Sequence, residues 1–339
     1  MRRTGRSTIR HVAEAAGVST ATVSRVFSGQ RVRTDLADRV RSAAGELGYQ
    51  PNSTAQGLVS GLTRTVGLVV PDVANPYFGE FIQVIAAEAR RDDFRILVAE
   101  APADKSNEFE TCMDLNRHVD GVILIASRMT DDELVTLNSR VGNLVSVNRN
   151  TTELRVASVS ADAFRSMSDL CAYLCRLGHE NLVYLSGPAS SWQNGQRWAA
   201  VQDAGGRSGV TVNWVPAGES IEDGYAATDA ALSFKPTALL AFNDLLALGV
   251  MSRLNEIGLN IPVDISIAGT DDIPFARYVS PSLTTTTSPR SEVGLQAWSQ
   301  LLALMAGTPL NEEVEMPIGK IIIRQSTGPA PSREPVDSN

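Results

Sequence analysis

Residues 8–28 read TIRHVAEAAGVSTATVSRVFS, and this stretch decides the fold of the N-terminal part of the chain. Apolar residues recur at helical spacing on both sides of Gly17, which provides a sharp turn, and Ser19 is suited to cap the second helix. The residues predicted to face inward are Ile9, Val12, Ala13, Ala16, Val23, Val26 and Phe27. Two short helices joined by a tight turn are typical of a helix-turn-helix, whose second helix enters the major groove of DNA.

The outer face of this second helix carries the residues that would meet DNA. Arg25 can donate two hydrogen bonds to a guanine edge, although an arginine on an outer face can also be merely solvated. Thr20 and Ala21 are short enough to contact a thymine methyl group or to form a single hydrogen bond. Hydroxyl side chains more often contact phosphates, and they stand at Ser19, Thr22 and Ser24.

Charge is distributed unevenly along the chain. Residues 1–64 contain ten arginines, no lysine and four acidic residues, which gives this segment a net charge of +6. The whole chain carries −8, so residues 65–339 carry −14. A basic head on an acidic body is typical of a DNA-binding segment attached to a body that DNA repels; the alternative is an ordinary solvated terminus.

Length and composition limit the class of protein. The 339 residues are enough for a small head and two further domains. We expect neither a membrane span nor a secretory signal, because the chain has no apolar run of roughly eighteen residues and no apolar stretch after its first arginines. Its three cysteines, Cys112, Cys171 and Cys175, provide no disulfide framework and suit a reducing cytoplasm.

Beyond residue 28, the pattern predicts a third helix that Gly48 ends, over about residues 34–47. Its predicted inward residues are Leu36, Val40, Ala43, Ala44 and Leu47. These three helices form a predicted head over residues 1–50. Residues 51–63 then predict a hinge helix, which is too short to be stable alone, so we expect it to form only with partners.

From residue 64 onward, apolar strands alternate with helices in two series. The predicted strands are 66–70, 96–99, 121–125 and 144–147, then 156–159, 182–185, 210–215, 238–242 and 265–268, with a last helix over 292–306 and a last strand over 318–323. This alternation predicts two doubly wound α/β lobes with buried parallel sheets. Lobe one covers about 64–161 plus 292–318, and lobe two about 162–291 plus 319–328. A tail rich in proline and serine, 329–339, is expected to be disordered.

Several motifs, in this order, resemble those of the LacI/GalR family of bacterial transcription regulators over residues 7–328. They are the segment Val12–Val26, Gly48-Tyr-Gln-Pro-Asn52, Ala55-Gln-Gly-Leu58, Asn75-Pro-Tyr-Phe78, Leu177-Gly-His179, Phe242-Asn-Asp244, Gly269-Thr-Asp-Asp272 and Pro281-Ser-Leu-Thr-Thr285. The resemblance implies an α + α/β architecture: a helix-turn-helix headpiece and a hinge helix, followed by two lobes resembling a periplasmic binding protein.

The resemblance also assigns the hinge a role at the operator centre, where the family's leucine, here Leu58, wedges into the minor groove and kinks the DNA. The alternative is a leucine that packs on its dimer mate. Two hinge helices are needed to open one groove, so a homodimer on a palindromic operator is expected, and the tail has no leucine heptad that would favour a tetramer. The candidate DNA contacts are Thr8, Ser19, Thr20, Ala21, Thr22, Ser24, Arg25, Asn52, Ala55 and Leu58.

Ligands of doubly wound folds bind at the carboxyl ends of the strands, here between the lobes. By resemblance, Arg197, Asn243 and Asp271 match the positions that hold effector hydroxyls, while Tyr77 and Phe78 could stack on a ring. The candidate effector contacts are Asp72, Asn75, Tyr77, Phe78, Ser127, Asn148, Arg149, Asp162, Trp192, Arg197, Asn243 and Asp271. The alternative for Asp72, Asp162 and Asp271 is that they only cap the helices that follow them.

These groups suit a free sugar or a nucleoside better than an apolar ligand. The family usually has an aromatic residue where Thr270 stands and often an acid where Asn148 stands, so the sequence leaves the effector open. We expect a repressor that leaves its operator when the effector binds. The alternative is a corepressor-dependent repressor that responds to a purine or a phosphorylated metabolite. No cofactor is expected.

Three other interpretations are weaker. An enzyme is not expected, because the chain has no Gly-x-x-x-x-Gly-Lys loop, no Gly-x-Gly-x-x-Gly after a strand and no Gly-x-Ser-x-Gly turn. A solute receptor without regulation conflicts with the DNA-binding head. Cys171, Cys175 and His179 could hold zinc along one helical face, but two buried cysteines and a loop histidine explain them better, and no metal is expected.

Overall fold

The computed structural model describes residues 7–27, 31–49, 62–101, 107–310 and 315–331. The chain divides into two compact units, Met1–Thr65 with His118–Asp120 and Val66–Arg117 with Gly121–Asn339. The predicted hinge helix lies outside the described residues except for residues 62 and 63. Among the helices of the described ranges, none combines the length and apolar character that crossing a membrane requires.

The first unit contains α1 (Ile9–Ala16), α2 (Thr20–Phe27) and α3 (Thr34–Glu46). Their core is formed by Val12, Ala13, Ala16, Val23, Val40, Ala43 and Ala44. Gly17 ends α1 with a φ of 61°, in the left-handed region, and Ser19 Oγ accepts a hydrogen bond of 3.2 Å from Thr22 N. These features confirm the predicted helix-turn-helix. The prediction that Leu47 faces the core was wrong, because α3 ends one residue earlier and Leu47 is exposed.

Lobe one is built on a five-stranded sheet in the order β2-β1-β3-β4-β5. Its strands are β1 (Thr65–Val70), β2 (Arg95–Glu100), β3 (Gly121–Ile125), β4 (Leu144–Val147) and β5 (Ala157–Val159). Its helices are α4 (Pro76–Arg91), α5 (Glu108–Asn116), α6 (Asp131–Val141) and the late helix α11 (Arg290–Ala306), which returns to pack on α4 and β4. The pairs β1–β3, β3–β4 and β4–β5 are parallel.

Lobe two is built on a six-stranded sheet in the order β11-β10-β9-β8-β6-β7. Its strands are β6 (Asn181–Ser186), β7 (Thr211–Pro216), β8 (Ala238–Ala241), β9 (Ser266–Asp271), β10 (Thr284–Thr287) and β11 (Ile321–Ile322). Its helices are α7 (Ala163–Arg176), α8 (Trp192–Ser208), α9 (Ile221–Leu232) and α10 (Asp244–Glu256). Only β11 runs antiparallel to its neighbour among the paired strands of this sheet in the described residues.

The two sheets confirm the predicted doubly wound lobes, with differences at their edges. β5 pairs with β4 in the first sheet, so it closes the first series of strands rather than opening the second. β2 was expected to be buried, but it is an edge strand that leaves Leu97 and Val98 exposed. β10, a run of four threonines, was not predicted at all. Near the expected tail, Ala330 N donates a hydrogen bond to Leu177 O at 2.9 Å.

Candidate functional site

The second helix of the first unit presents the predicted DNA contacts on its surface. Thr20, Ala21 and Arg25 are exposed, while Val23 on the opposite face is fully buried. Thr8 and Ser19 are also exposed, and Thr22 and Ser24 are half-buried. Asn52, Ala55 and Leu58 lie outside the described residues.

Between the two lobes lies a small polar cavity of about 30 Å³, which we call the inner cavity. It is lined by Asn75, Tyr77, Phe78, Ala126, Arg128, Asn148, Ser191, Gln193, Arg197, Glu219, Phe242, Asn243 and Asp271. Seven of the twelve candidate effector residues therefore meet at one place. Asn148, Asn243 and Asp271 lie at or just after the ends of strands, as the strand-end rule for doubly wound folds predicts, whereas the other four residues lie at the start of α4 or within α8.

On the lobe-one side, Tyr77 and Asn148 form the wall of the inner cavity. Asn75 caps α4 by accepting a hydrogen bond from Tyr77 N at 3.0 Å, which fixes the start of the helix. Asn148 Nδ2 donates to the Tyr77 hydroxyl oxygen at 2.6 Å. The other amide atom, Asn148 Oδ1, is buried and has no hydrogen-bond partner among the described residues. It is therefore an acceptor that a ligand can use.

On the lobe-two side, Arg197 is held in place by three contacts. Its Nη1 donates to Phe242 O at 2.7 Å, its Nη2 lies 3.4 Å from Asp271 Oδ1, and its guanidinium stands over the Phe242 ring at 4.8 Å. Asn243 caps α10 by accepting from Leu246 N at 2.8 Å, and its Nδ2 donates to Glu219 O at 2.9 Å. These contacts fix the positions of both side chains.

Asp271 is the acid of the inner cavity. Burial raises its pKa to about 6, although the positive charges of Arg197 and Arg290 oppose the rise. Arg290, the first residue of α11, donates from Nη1 to Asp271 O and from Nε to Glu80 Oε2 at 2.6 Å. It also stands over the Tyr77 ring at 5.4 Å. Arg290 therefore links the Asp271 segment of lobe two to α4 of lobe one.

Sequence reasoning missed a charged pair that crosses the cleft. Arg128 Nη2 donates to Glu219 Oε2 at 2.8 Å, and the two residues belong to different lobes. Arg128 N donates to Glu108 Oε2 at 2.9 Å. Burial lowers the pKa of Arg128 and raises the pKa of Glu108. Since Arg128 directly follows Ser127 at the end of β3, the strand-end rule could have found it.

Arg128, which borders the inner cavity, also has a donor that is unpaired within the described residues. Its Nε is buried and finds no hydrogen-bond partner in the described part of the chain. The inner cavity is thus bordered by a side chain with an unused donor, Arg128, and by one with an unused acceptor, Asn148.

Three candidate effector residues border a second, larger space, the outer cavity, of about 790 Å³. Arg149 points back into lobe one, where it donates to Met129 O and Asp131. Asp162 caps α7 by accepting from Arg165 N at 2.8 Å, and Trp192 is the first residue of α8.

The two remaining candidates form local turns. Asp72 Oδ1 accepts from Ala74 N at 2.7 Å, and Ser127 Oγ accepts from Met129 N at 3.3 Å. The helix-cap alternative therefore describes Asp162, whereas Asp72 closes a turn and Asn75 caps the helix that follows it.

The zinc alternative finds no support in the geometry of Cys171 and His179. In the described ranges, no group of three or more histidine, cysteine or acidic side chains is placed to hold a metal ion. His179 Nε2 instead lies 3.1 Å from Gly328 O. Burial raises the pKa of the Cys171 thiol to about 12.

Two segments of the chain match known protein families. Residues 8–52 match the bacterial regulatory proteins of the lacI family, and residues 171–327 match the periplasmic binding protein-like domain. The HTH-type transcriptional repressor CytR of Escherichia coli (strain K12) is 31% identical over 333 residues, which cover 96% of this chain and 97% of CytR.

Solved structures agree with this match. The lac repressor dimer bound to operator and the anti-inducer ONPF has a TM-score of 0.84 at 24% identity, over 96% of this chain and 100% of that chain, and so supports the fold. A LacI family transcriptional regulator from Enterococcus faecium with bound ribose has a TM-score of 0.71 at 26% identity, over 78% of this chain and 99% of that chain. The chain belongs to the LacI family of bacterial regulatory proteins, and it is a DNA-binding transcription regulator rather than an enzyme.

Proposed function

We propose that this regulator is a homodimeric repressor that leaves a palindromic operator when a small neutral polyol, a sugar or a nucleoside, binds the inner cavity. Contact with operator DNA would take place in the cytoplasm. The relative from Enterococcus faecium, which holds ribose, supports a sugar ligand.

The unused donor on Arg128 and the unused acceptor on Asn148 carry the proposal. A hydroxyl group both donates and accepts a hydrogen bond, so a polyol can satisfy both side chains at once. Leaving such groups unpaired in a buried site costs about 1–3 kcal/mol each, which a fitting ligand would recover.

The charges around the inner cavity favour a neutral ligand over a phosphorylated one. Arg128 and Arg197 are balanced by Glu219 and Asp271, and each arginine already contacts its acid. A phosphate group would add up to two negative charges beside the buried carboxylate of Asp271 and the partly exposed carboxylate of Glu219, while both arginines are already paired. This balance argues against a phosphorylated corepressor.

Dimerisation is supported by apolar side chains that lobe two leaves exposed. Ile221 and Tyr225 stand on α9, while Phe275 and Tyr278 lie at the short turn that follows β9. Burying such side chains against a partner would remove apolar surface from water, which favours association. In such a dimer, two hinge segments would place their Leu58 side chains at the centre of one operator.

A DNA-binding titration with full-length protein tests the operator half of the proposal. On an operator selected from random DNA, Arg25→Ala should weaken binding about five- to hundredfold and relax base preference, because a bidentate contact to guanine is worth about 1–3 kcal/mol. Arg41→Ala is the matched control, since Arg41 is an exposed arginine of α3 that pairs with Asp38. Equal losses in both variants would contradict base recognition by Arg25.

Release of operator DNA on addition of a ligand tests the effector half of the proposal. Adding a sugar or nucleoside that raises the melting temperature should lower operator affinity, and Asn148→Ala should abolish this response while leaving operator binding intact. A ligand that instead strengthens operator binding would show that the corepressor alternative is correct.

A further inference from the structure

The outer cavity lies beside the inner cavity and is much larger. Ser191 borders both, so the two spaces are neighbours. The inner cavity holds about 30 Å³ and the outer about 790 Å³, whereas ligand pockets usually measure about 300–1,000 Å³. A ligand that uses the polar groups of the inner cavity therefore has room to extend outward.

Consecutive residues at the start of α8 border the inner and the outer cavity. Trp192 borders the outer cavity and is only half-buried, so part of its indole remains accessible. Gln193, the next residue, borders the inner cavity and donates a long hydrogen bond of 3.4 Å to Ser160 Oγ. Ser191, the cap of α8, accepts from Asn194 N at 3.2 Å and fixes the start of the helix. One helical turn thus presents an amide to one cavity and an aromatic side chain to the other.

The outer cavity is acidic. Asp131, Glu153 and Asp162 border it, with Arg149 as the opposing charge, and Arg149 is already paired with Asp131. A negatively charged ligand group would be repelled there, whereas a neutral aromatic ring can lie on the indole of Trp192.

We propose that the effector has two parts: a sugar whose hydroxyls enter the inner cavity, and a neutral aromatic aglycone that stacks on Trp192 in the outer cavity. An N- or O-glycoside of this kind, such as a nucleoside, meets both requirements, and a free sugar meets one. This inference rests on the proposed function, because it assumes that a polyol occupies the inner cavity.

Calorimetric titration with ribose, adenosine and uridine tests the inference. The nucleosides should bind more tightly than ribose. Trp192→Ala should weaken nucleoside binding about five- to hundredfold, the range for loss of one aromatic stacking contact, and leave ribose binding unchanged. Trp192→Phe, which keeps an aromatic face, should retain most of the nucleoside affinity.

Trp214→Ala is the matched control, because Trp214 is an exposed tryptophan on β7 and should affect neither class of ligand. Equal affinity for ribose and the nucleosides, or equal loss of both in Trp192→Ala, would overturn the two-part site and leave a sugar-responsive repressor. If ribose and both nucleosides fail to bind the unmodified protein, the sugar assignment of the proposed function falls, and the two-part site falls with it.

Discussion

Asp271 borders the inner cavity, and its negative charge lowers the stability of the folded protein. A carboxylate in the inner cavity can accept hydrogen bonds from ligand hydroxyls, but burial raises its pKa to about 6 from the ordinary 3.8. The folded protein therefore binds this proton more tightly than the unfolded chain does. The charged form opposes folding, so this site destabilises the protein above about pH 6 and ceases to do so as the pH falls towards 4.

We therefore predict that Asp271→Asn stabilises the ligand-free protein at neutral pH. A shift of this size corresponds to at most about 3 kcal/mol, and the amide keeps part of the hydrogen bonding, so an increase of about 1–2 kcal/mol in the free energy of unfolding is expected at pH 7.5. The gain should vanish near pH 4, where the native carboxyl group is protonated. Denaturant unfolding at both pH values measures it, and ligand binding should weaken in the same variant.

Asp272→Asn provides the control for Asp271→Asn. Asp272 is the next residue and pairs with Arg324 Nη2, so losing its charge should destabilise the protein rather than stabilise it. If both variants change stability in the same direction at pH 7.5, the cost assigned to the charge of Asp271 is incorrect.

At the scale of the elements, the turn between α1 and α2 depends on one glycine. Gly17 has a φ of 61°, and a Cβ there would lie 2.6 Å from Arg39 Nη2, a group that donates to Ala16 O. Gly17→Ala should destabilise the three-helix unit by about 1–2 kcal/mol, because a left-handed conformation is costly for a residue with a Cβ. Hydrogen exchange of α1–α3 peptides in the full-length protein measures the effect, and operator affinity should fall with it.

Gly45→Ala is the matched control in the same unit. Gly45 lies within α3, and a Cβ there would meet no atom within 4 Å. This substitution should stabilise the unit by roughly 0.5–1 kcal/mol, because alanine loses less backbone freedom on folding than glycine does. Faster exchange in Gly45→Ala, or unchanged exchange in Gly17→Ala, would contradict this account of the turn.

Elements with an apolar periodicity could be predicted from the sequence, and those that depend on distant partners could not. The helix-turn-helix and the central strands have clear patterns of apolar spacing. β10 consists of threonines, and the hydroxyls of two of them form hydrogen bonds with residues distant in the sequence. Thr284 pairs with Thr327, and Thr285 donates to Asp244 at 2.6 Å. Polar residues in a row give no sign of burial until those partners are known.

The same reason explains what was missed in the inner cavity. Strand-end positions such as Asn148 and Asn243 could be predicted because topology alone brings them together. The role of Arg128 depends on Glu219, a residue 91 positions away in the other lobe, and no local pattern marks that pair. β2 was taken for a buried strand because its residues are apolar, and only its place at the edge of the sheet exposes them.

At the scale of the whole molecule, a few polar contacts cross the cleft between the two lobes. In the described residues these contacts include the Arg128–Glu219 pair, the hydrogen bond from Arg290 to Asp271 O, and the 3.4 Å approach of the Tyr77 and Ser288 hydroxyls. A ligand shifts the balance between open and closed lobes only by binding one state more tightly. The strength of these contacts therefore sets the ratio of closed to open lobes in the absence of a ligand.

Glu219→Gln should move that balance towards the open form. The substitution keeps the shape of the side chain but removes the charge that attracts Arg128, and a partly exposed pair of this kind is worth roughly 1 kcal/mol, or about a fivefold change in the ratio of closed to open lobes. Small-angle scattering should show a larger radius of gyration, and amides bordering the inner cavity should exchange faster. Asp229→Asn is the control, because it removes a comparable pair with Arg253 that joins α9 to α10 inside lobe two. If the two variants scatter and exchange alike, the Arg128–Glu219 pair does not hold the lobes together, and the closed cleft must depend on Arg290 instead.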